Sequence, residues 1–122
     1  MAMGKVQTEE TGSLPGLVVV SVSGEVDLAV APALDSHLSA ALGQGQDIVV
    51  DLAEATFLDS VALGVLTWAL EQSQEAGRGL FLIISDERVL RVFELTGLTG
   101  SFAIFETRAD LIERLSQADS TT

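Results

Sequence analysis

Cysteine is absent from this chain of 122 residues, and basic residues, histidine and long apolar runs are scarce. Without a thiol the chain has no disulfide, thiolate metal site or cysteine nucleophile, a composition that permits a cytoplasmic location. Its longest apolar stretches, such as Val61 to Leu70, fall far short of the roughly 20 residues that span a bilayer. The first ten residues also lack the apolar core of a signal peptide. We therefore predict a soluble cytoplasmic protein.

Positively charged residues are also scarce. The chain has 6 lysine and arginine residues and 18 aspartate and glutamate residues, which gives a net charge of -12. Nucleic acid and anionic membranes would be repelled by this charge, so neither is predicted as a partner. Two interpretations of the acidity remain open. One is a protein partner with a basic face, and the other is that the charge only aids solubility.

Residues suited to catalysis are also few. His37 is the only histidine and is predicted on the surface of a helix, and no nucleophile-elbow pattern surrounds Ser60. The GQGQ at 43–46 lacks the Lys-Ser/Thr of a phosphate-binding loop. A receiver-like domain phosphorylated at Asp51 would need a partner lysine, and the only one, Lys5, lies in the polar N-terminal segment. We predict no catalytic residues, no metal and no cofactor.

Apolar runs alternate with stretches of helical periodicity along the whole chain, which predicts an α/β fold. The predicted strands are Leu17–Val22, Ile48–Leu52, Leu80–Ile84 and Phe102–Phe105, with a short edge strand near Lys5–Thr8, and Gly24 is expected to break the first long strand. Buried helix positions are predicted at Leu34, Leu38 and Leu42, at Val89, Leu90 and Phe93, and at Leu111, Ile112 and Leu115. The result is a four- to five-stranded mixed sheet with about four helices. We divide the chain into an N-terminal segment (1–16), one domain (17–117) and a polar tail (118–122).

The segment from Asp51 to Leu70 joins a buried strand to a long helix. Projection of the helix at about 100° per residue separates two faces. One face carries Ala62, Leu63, Val65, Leu66, Ala69, Leu70 and Ala76, and the opposite stripe carries Ser60, Gly64, Thr67, Glu71 and Gln74. Val61 and Trp68 lie at the border. Ser60 is therefore expected to head a solvent-facing stripe with an apolar rim.

Two interpretations of Asp59 and Ser60 follow from their position at the helix start. Their side-chain oxygens are suited to cap the first turn, which is worth about 1 kcal/mol. Alternatively, Ser60 is a phosphorylation site, because free N–H groups and the positive end of the helix dipole favour a phosphate there. The pattern alone favours the cap, and the two interpretations are compatible.

Four segments carry a resemblance to a known family: SGEVD at 23–27, IVVDL at 48–52, FLDSVALGVL at 57–66 and FELTGL at 93–98. In order and spacing they resemble the STAS-domain family, in particular bacterial anti-sigma factor antagonists. The resemblance implies a non-enzymatic partner switch in transcription regulation. It implies that Ser60 is phosphorylated by an anti-sigma factor that is a serine kinase and is dephosphorylated by a PP2C-type phosphatase. The unphosphorylated form would bind the anti-sigma factor and release the sigma factor.

The same resemblance implies a partner-binding surface that includes Asp27 and Asp59 beside Ser60, together with Val61, Gly64 and Trp68. Val61 stands where the family often has a second hydroxyl residue. Ala62 stands where the family often has glycine, and alanine is the better helix former by roughly 1 kcal/mol. The alternative is a STAS adaptor in another signalling or transport complex, in which Ser60 only caps the helix. The sequence makes no prediction about the oligomeric state.

Overall fold

The computed structural model describes residues 3–9, 14 and 16–120, with side chains described as far as Gln117. Within these residues it contains four helices and one five-stranded sheet. The strands, in chain order and in sheet order, are β1 (Lys5–Thr8), β2 (Leu17–Val26), β3 (Asp47–Leu58), β4 (Leu80–Ile83) and β5 (Ala103–Phe105). β1 pairs with β2 in the antiparallel sense, and the other three pairings are parallel. The predicted α/β fold with a mixed sheet is confirmed.

The helices cover both faces of the sheet. They are α1 (Ala31–Leu42), α2 (Ser60–Glu75), α3 (Glu87–Leu95) and α4 (Arg108–Ser120). The larger core joins Val20, Val50 and Leu82 of the strands to Leu34, Leu66 and Phe93 of α1, α2 and α3. The smaller core joins Val19, Val49 and Ile83 to Leu111 of α4 and to Leu14. Because neighbouring strand residues point to opposite faces, the continuous apolar runs supply both cores.

β2 and β3 are longer than predicted. Gly24 does not break β2, which continues to Val26, and β3 continues from the predicted end at Leu52 to Leu58. Gly24 has a φ of 72° and adjoins a shift in the β2–β3 register. A bulge of this kind bends a strand without ending its pairing. The extension carries β3 directly to the start of α2.

α4 differs from its prediction in two respects. Ile112 was expected in the core, but it is 46% exposed. The helix packs on the sheet through Leu111 and the half-buried Leu115, and these two residues lie one turn apart on a face that excludes position 112. The predicted polar tail is also partly helical, because α4 ends at Ser120. Residues 121–122, like residues 1–2, 10–13 and 15 near the N-terminus, lie outside the described part of the chain.

The edge strand β1 lies where a short strand was predicted, and it contacts α1. The Thr8 Oγ1 and His37 Nδ1 atoms are 2.7 Å apart. His37, predicted on the helix surface, is half-buried there. Local sequence patterns could not predict that β1 pairs with β2. This pairing brings Thr8 beneath α1.

Candidate functional site

The candidate site lies where β2 and β3 end. Val26 and Leu58 are register partners at the ends of the two strands. The Asp59 backbone N–H then donates to the Val26 carbonyl at 3.1 Å. Because the strands are parallel, the residues that follow them, Asp27 and Asp59, emerge at the same edge of the sheet. The structure thus brings together two acidic residues that are far apart in the sequence.

Asp59 is the N-cap of α2. It has an extended backbone (φ −96°, ψ 177°), and its Oδ1 accepts a hydrogen bond from the Ala62 amide at 2.9 Å. Ser60 is the first helical residue, and it is exposed. The interpretation in which an aspartate caps the helix is confirmed, and the one in which Ser60 is the cap is wrong. The Ser60 side chain therefore heads the helix without forming its cap.

Asp27 belongs to a turn that connects β2 to α1. Its Oδ1 accepts from the Ala29 amide at 3.1 Å, and its carbonyl accepts from the amides of Val30 and Ala31 at 3.0 and 2.9 Å. The bond from Ala29 holds the half-buried carboxylate against its own turn. Asp27 therefore lies in the loop that follows β2.

The two predicted faces of α2 are largely present. Ala62, Leu63, Leu66 and Ala69 are buried, Val65 and Leu70 are half-buried, and Ser60, Gly64, Glu71 and Gln74 are exposed. Val61 and Trp68, placed at the border by the helical projection, are 43% and 38% exposed. Ala76 is exposed instead of buried because it lies past the last helical residue, as the C-cap.

An open groove of about 520 Å³ runs between α1 and α2. It is lined by Val61, Gly64, Val65 and Trp68 of α2 and by Asp35 and Ser39 of α1. Three of the six predicted partner-binding residues therefore share one concave surface. Asp35 and Ser39 were missed, because only the packing of α1 against α2 shows that they face this groove.

Two further exposed apolar residues near the helix start were also missed. Leu28, in the turn after Asp27, is 67% exposed, and Phe57, next to the end of β3, is 48% exposed. The sequence offered a signal for the exposure of Phe57. Side chains alternate between the two faces of a strand, so Phe57 points away from the core that its neighbour Leu58 enters. Phe57 is instead the register partner of Glu25.

A polar cluster occupies the sheet between β1 and α4. Arg108 Nε donates to Asp51 Oδ2 at 2.6 Å, and the Arg108 guanidinium also donates to both carboxylate oxygens of Glu9. Ser21 donates to Glu9 as well. The hydrogen bond to Glu9 is the main cause that raises the pKa of Arg108 above its usual value.

Asp51 and Lys5 line one pocket of about 310 Å³ beside this cluster, although Lys5 belongs to the N-terminal segment. The Asp51 carboxylate is engaged, because it also accepts from the Ala53 amide at 2.9 Å. No group of three or more histidine, cysteine, aspartate or glutamate side chains within the described residues is placed to hold a metal ion. Nor does any helix of that part of the chain have the length and apolarity to cross a membrane.

The structure is a small α/β domain in which the start of α2 is exposed. The family model described as STAS domain matches residues 5–111. The chain therefore belongs to the STAS domain family, and the resemblance carried by its four sequence segments is confirmed.

Relatives within this family are named anti-sigma factor antagonists. The anti-sigma-B factor antagonist of Bacillus subtilis (strain 168) is 33% identical over 81 residues, which are 66% of this chain and 74% of the relative. That of Staphylococcus aureus (strain NCTC 8325 / PS 47) is 31% identical over 90 residues, 73% of this chain and 83% of the relative. The crystal structure of an anti-sigma factor antagonist from Mycobacterium paratuberculosis superposes with a TM-score of 0.80 at 31% identity, covering 92% of this chain and 93% of that chain.

Proposed function

We propose that this protein is an anti-sigma factor antagonist that binds an anti-sigma factor with serine kinase activity and so releases a sigma factor. Phosphorylation of Ser60 ends the binding, and a PP2C-type phosphatase restores it. The observation that carries the proposal is the position of Ser60, exposed as the first residue of α2 and adjacent to the capping residue Asp59. The names of the similar antagonists support the same function.

The helix start is suited to accept a phosphate. The first-turn amides and the positive end of the helix dipole stabilise negative charge. The Ala62 amide is already bonded to Asp59, so the cap does not depend on the Ser60 hydroxyl. Val61 carries no hydroxyl, which leaves Ser60 as the phosphate acceptor in this pair. Phosphorylation is therefore compatible with an intact fold.

The same modification opposes binding. A phosphate adds about -1.5 to -2 charge beside Asp59 and near the strand end that carries Asp27. A serine that receives a γ-phosphate must lie in line with the nucleotide in the kinase site. After transfer, the new phosphate on Ser60 faces the remaining nucleotide phosphates and is repelled by them. It would also have to lose bound water to stay in contact next to the apolar rim formed by Val61. Repulsion and desolvation together favour dissociation.

The experiment is a capture from lysate of the source cells with four baits: wild type, Ser60→Ala, Ser60→Glu and Ser116→Glu. Ser116 is exposed on α4 and controls for added charge. We expect mass spectrometry to identify an anti-sigma factor with an ATP-binding kinase domain on every bait except Ser60→Glu. Incubation of wild type with that kinase and ATP should phosphorylate the peptide that contains Ser60.

Two results would oppose the proposal. Retention of the same partner by Ser60→Glu would make the chain a STAS adaptor that does not respond to Ser60. If Ser60→Glu loses the partner and the variant also lacks a cooperative thermal transition, the loss of binding is due to unfolding.

A further inference from the structure

Two rows of polar residues cross β1, β2 and β3 beside the start of α4. Each row takes one residue from each of the three strands, joined by strand register: Lys5, Ser23 and Glu54 in the first row, and Gln7, Ser21 and Asp51 in the second. All of these residues line the cavity of about 310 Å³. Ser21 follows Val19 of the smaller core by two positions, so the rows lie on the face of the sheet opposite to α2.

Arg108, at the first position of α4, forms one wall of this cavity and is already paired. It donates to the carboxylates of Glu9 and Asp51. Ser21 also donates to Glu9, and the Ala53 amide donates to Asp51. The wall is therefore fixed by its own hydrogen bonds, and its one cation faces two carboxylates. A free anion such as phosphate would be repelled there.

Four other polar side chains of the lining are available to a ligand. Within the part of the chain that the structure describes, Lys5, Gln7, Ser23 and Glu54 have no side-chain hydrogen bond or ion pair with another residue. Lys5 and Glu54 carry opposite charges at the two ends of the first row. Because neighbouring strands are about 4.8 Å apart, the backbones at these two positions are roughly 10 Å apart. A small molecule fits between the charged groups.

The size and charge of the cavity restrict the ligand. Small-molecule sites range from about 300 to 1,000 Å³, so this cavity is near the lower limit. A purely anionic ligand would face Glu54 without a counter-charge, and a purely cationic one would face Lys5. A molecule with one carboxylate and one ammonium group matches both, and the neutral side chains of Gln7 and Ser23 can donate to it or accept from it.

We propose that this cavity binds a small zwitterion of the free amino acid class. Its carboxylate accepts from the Lys5 ammonium group, and its own ammonium group donates to the Glu54 carboxylate. Gln7 and Ser23 supply further hydrogen bonds, and the paired wall at Arg108 holds the strands in position. The ligand site lies on the other face of the sheet from the helix that carries Ser60, and it does not depend on the proposed function.

Titrations followed by the amide resonances of the ¹⁵N-labelled protein test the proposal. The probe is L-alanine, and its matched controls are ethylamine and propionate, which each keep one of its two charged groups. We expect saturable shifts of the Ser23 and Glu54 amides with L-alanine. Either control should bind at least about tenfold more weakly, since it lacks one charge-assisted hydrogen bond. The same titration with L-serine, L-glutamate and L-lysine tests whether larger side chains are accepted.

Exchange of the two charges gives a second test. Lys5→Glu and Glu54→Lys should each lower the affinity for L-alanine at least about tenfold, whereas the double variant should recover it, because the zwitterion can bind in the opposite direction. Glu54→Lys should also gain affinity for propionate. Glu113→Lys, a change on α4 outside the cavity lining, is the control and should leave L-alanine binding unchanged. Each variant should keep a wild-type melting temperature, since all three positions are exposed.

Three results would overturn the proposal. One is the absence of saturable shifts at the lining with every amino acid tested. Another is equal affinity for L-alanine and for ethylamine or propionate, which would make the cavity a site for a single charge. The third is wild-type affinity in both Lys5→Glu and Glu54→Lys, which would place the binding elsewhere on the protein.

Discussion

The Oδ1 atom of Asp59 lies 2.9 Å from the backbone nitrogen of Ala62, and this hydrogen bond assigns the cap of α2 to Asp59 instead of its neighbour Ser60. Two adjacent polar residues thus have different tasks. Asp59 stabilises the helix start, whereas Ser60 presents an exposed hydroxyl on the first turn. A modification of Ser60 can therefore change the surface without removing the cap.

Asp59→Ala should lower the free energy of unfolding by about 1 kcal/mol, because the Ala62 amide loses its acceptor. Asp59→Ser should retain most of that stability, since serine is also a favoured cap. Ser60→Ala should change stability by less than about 0.5 kcal/mol, as expected for a surface position. Urea denaturation measures all three variants. A larger loss in Ser60→Ala than in Asp59→Ala would contradict the assignment of the cap.

Ser60→Glu should keep or slightly raise the melting temperature. A negative charge in the first turn interacts favourably with the helix dipole, by about 0.3–1 kcal/mol at low salt. Ser116→Glu places the same charge in the second half of α4 and should not gain this stabilisation. Thermal unfolding followed by circular dichroism compares the two. A clearly lower transition for Ser60→Glu would mean that charge at this site damages the fold.

Ser73→Ala should stabilise the protein by about 1 kcal/mol. Ser73 is completely buried, and its Oγ has no hydrogen-bond partner within the described structure. A buried unsatisfied polar group costs about 1–3 kcal/mol, and alanine is also the better helix former. Ser116→Ala, at an exposed helical position, measures the helix propensity alone. Equal changes in the two variants, measured by denaturant midpoint, would show that the buried hydroxyl carries no penalty.

Arg108→Gln should destabilise the protein by roughly 1.5–3 kcal/mol, the range for hydrogen bonds to charged groups. The substitution removes the donors that connect Glu9 and Asp51 and leaves these two carboxylates without the cation between them. Arg114→Gln, an exposed change on the same helix, is the control and should have little effect.

The interaction of Arg108 with Asp51 can be measured separately by a double-mutant cycle with Asp51→Asn. The loss in the double variant should be smaller than the sum of the two single losses. Strict additivity would mean that the 2.6 Å contact between Arg108 and Asp51 contributes nothing to stability.

Asp86 should titrate with a pKa of about 2, below the ordinary value of 3.8, chiefly because its carboxylate accepts a hydrogen bond from the Arg88 side chain. The lowered pKa favours the folded state above pH 3.8, and this contribution is lost as the pH falls through about 2. A carbon-detected NMR titration measures the pKa directly. Arg88→Gln should raise it toward 3.8, whereas Arg91→Gln on the same helix should leave it unchanged.

Local sequence patterns predicted much of the candidate functional site. The two faces of α2 followed from a period of 3.6 residues, and the position of Ser60 at the helix start followed from the change of period after the strand. Asp86 caps α3 by accepting a hydrogen bond from the Arg88 amide, two positions along the chain. These features depend on residues a few positions apart, whose geometry is set by the backbone of a single element.

The lengths of the strands and the exposure of individual side chains were harder to predict from the sequence. β3 extends to Leu58 because β2 continues to pair with it past Gly24, and a partner strand cannot be read from the segment itself. Ile112 is exposed because α4 meets the sheet with one narrow face, and apolar character alone does not select that face.

The sequence by itself determined the alternation of strands and helices, the family and the placement of Ser60, because each is encoded in short-range periodicity or in motifs of contiguous residues. Only the tertiary structure decided which distant side chains meet. Arg108 reaches Glu9 across 99 positions, and Asp35 of α1 joins Trp68 of α2 in one groove. Such contacts arise from the packing of whole elements, where many residues together set the distance between any two.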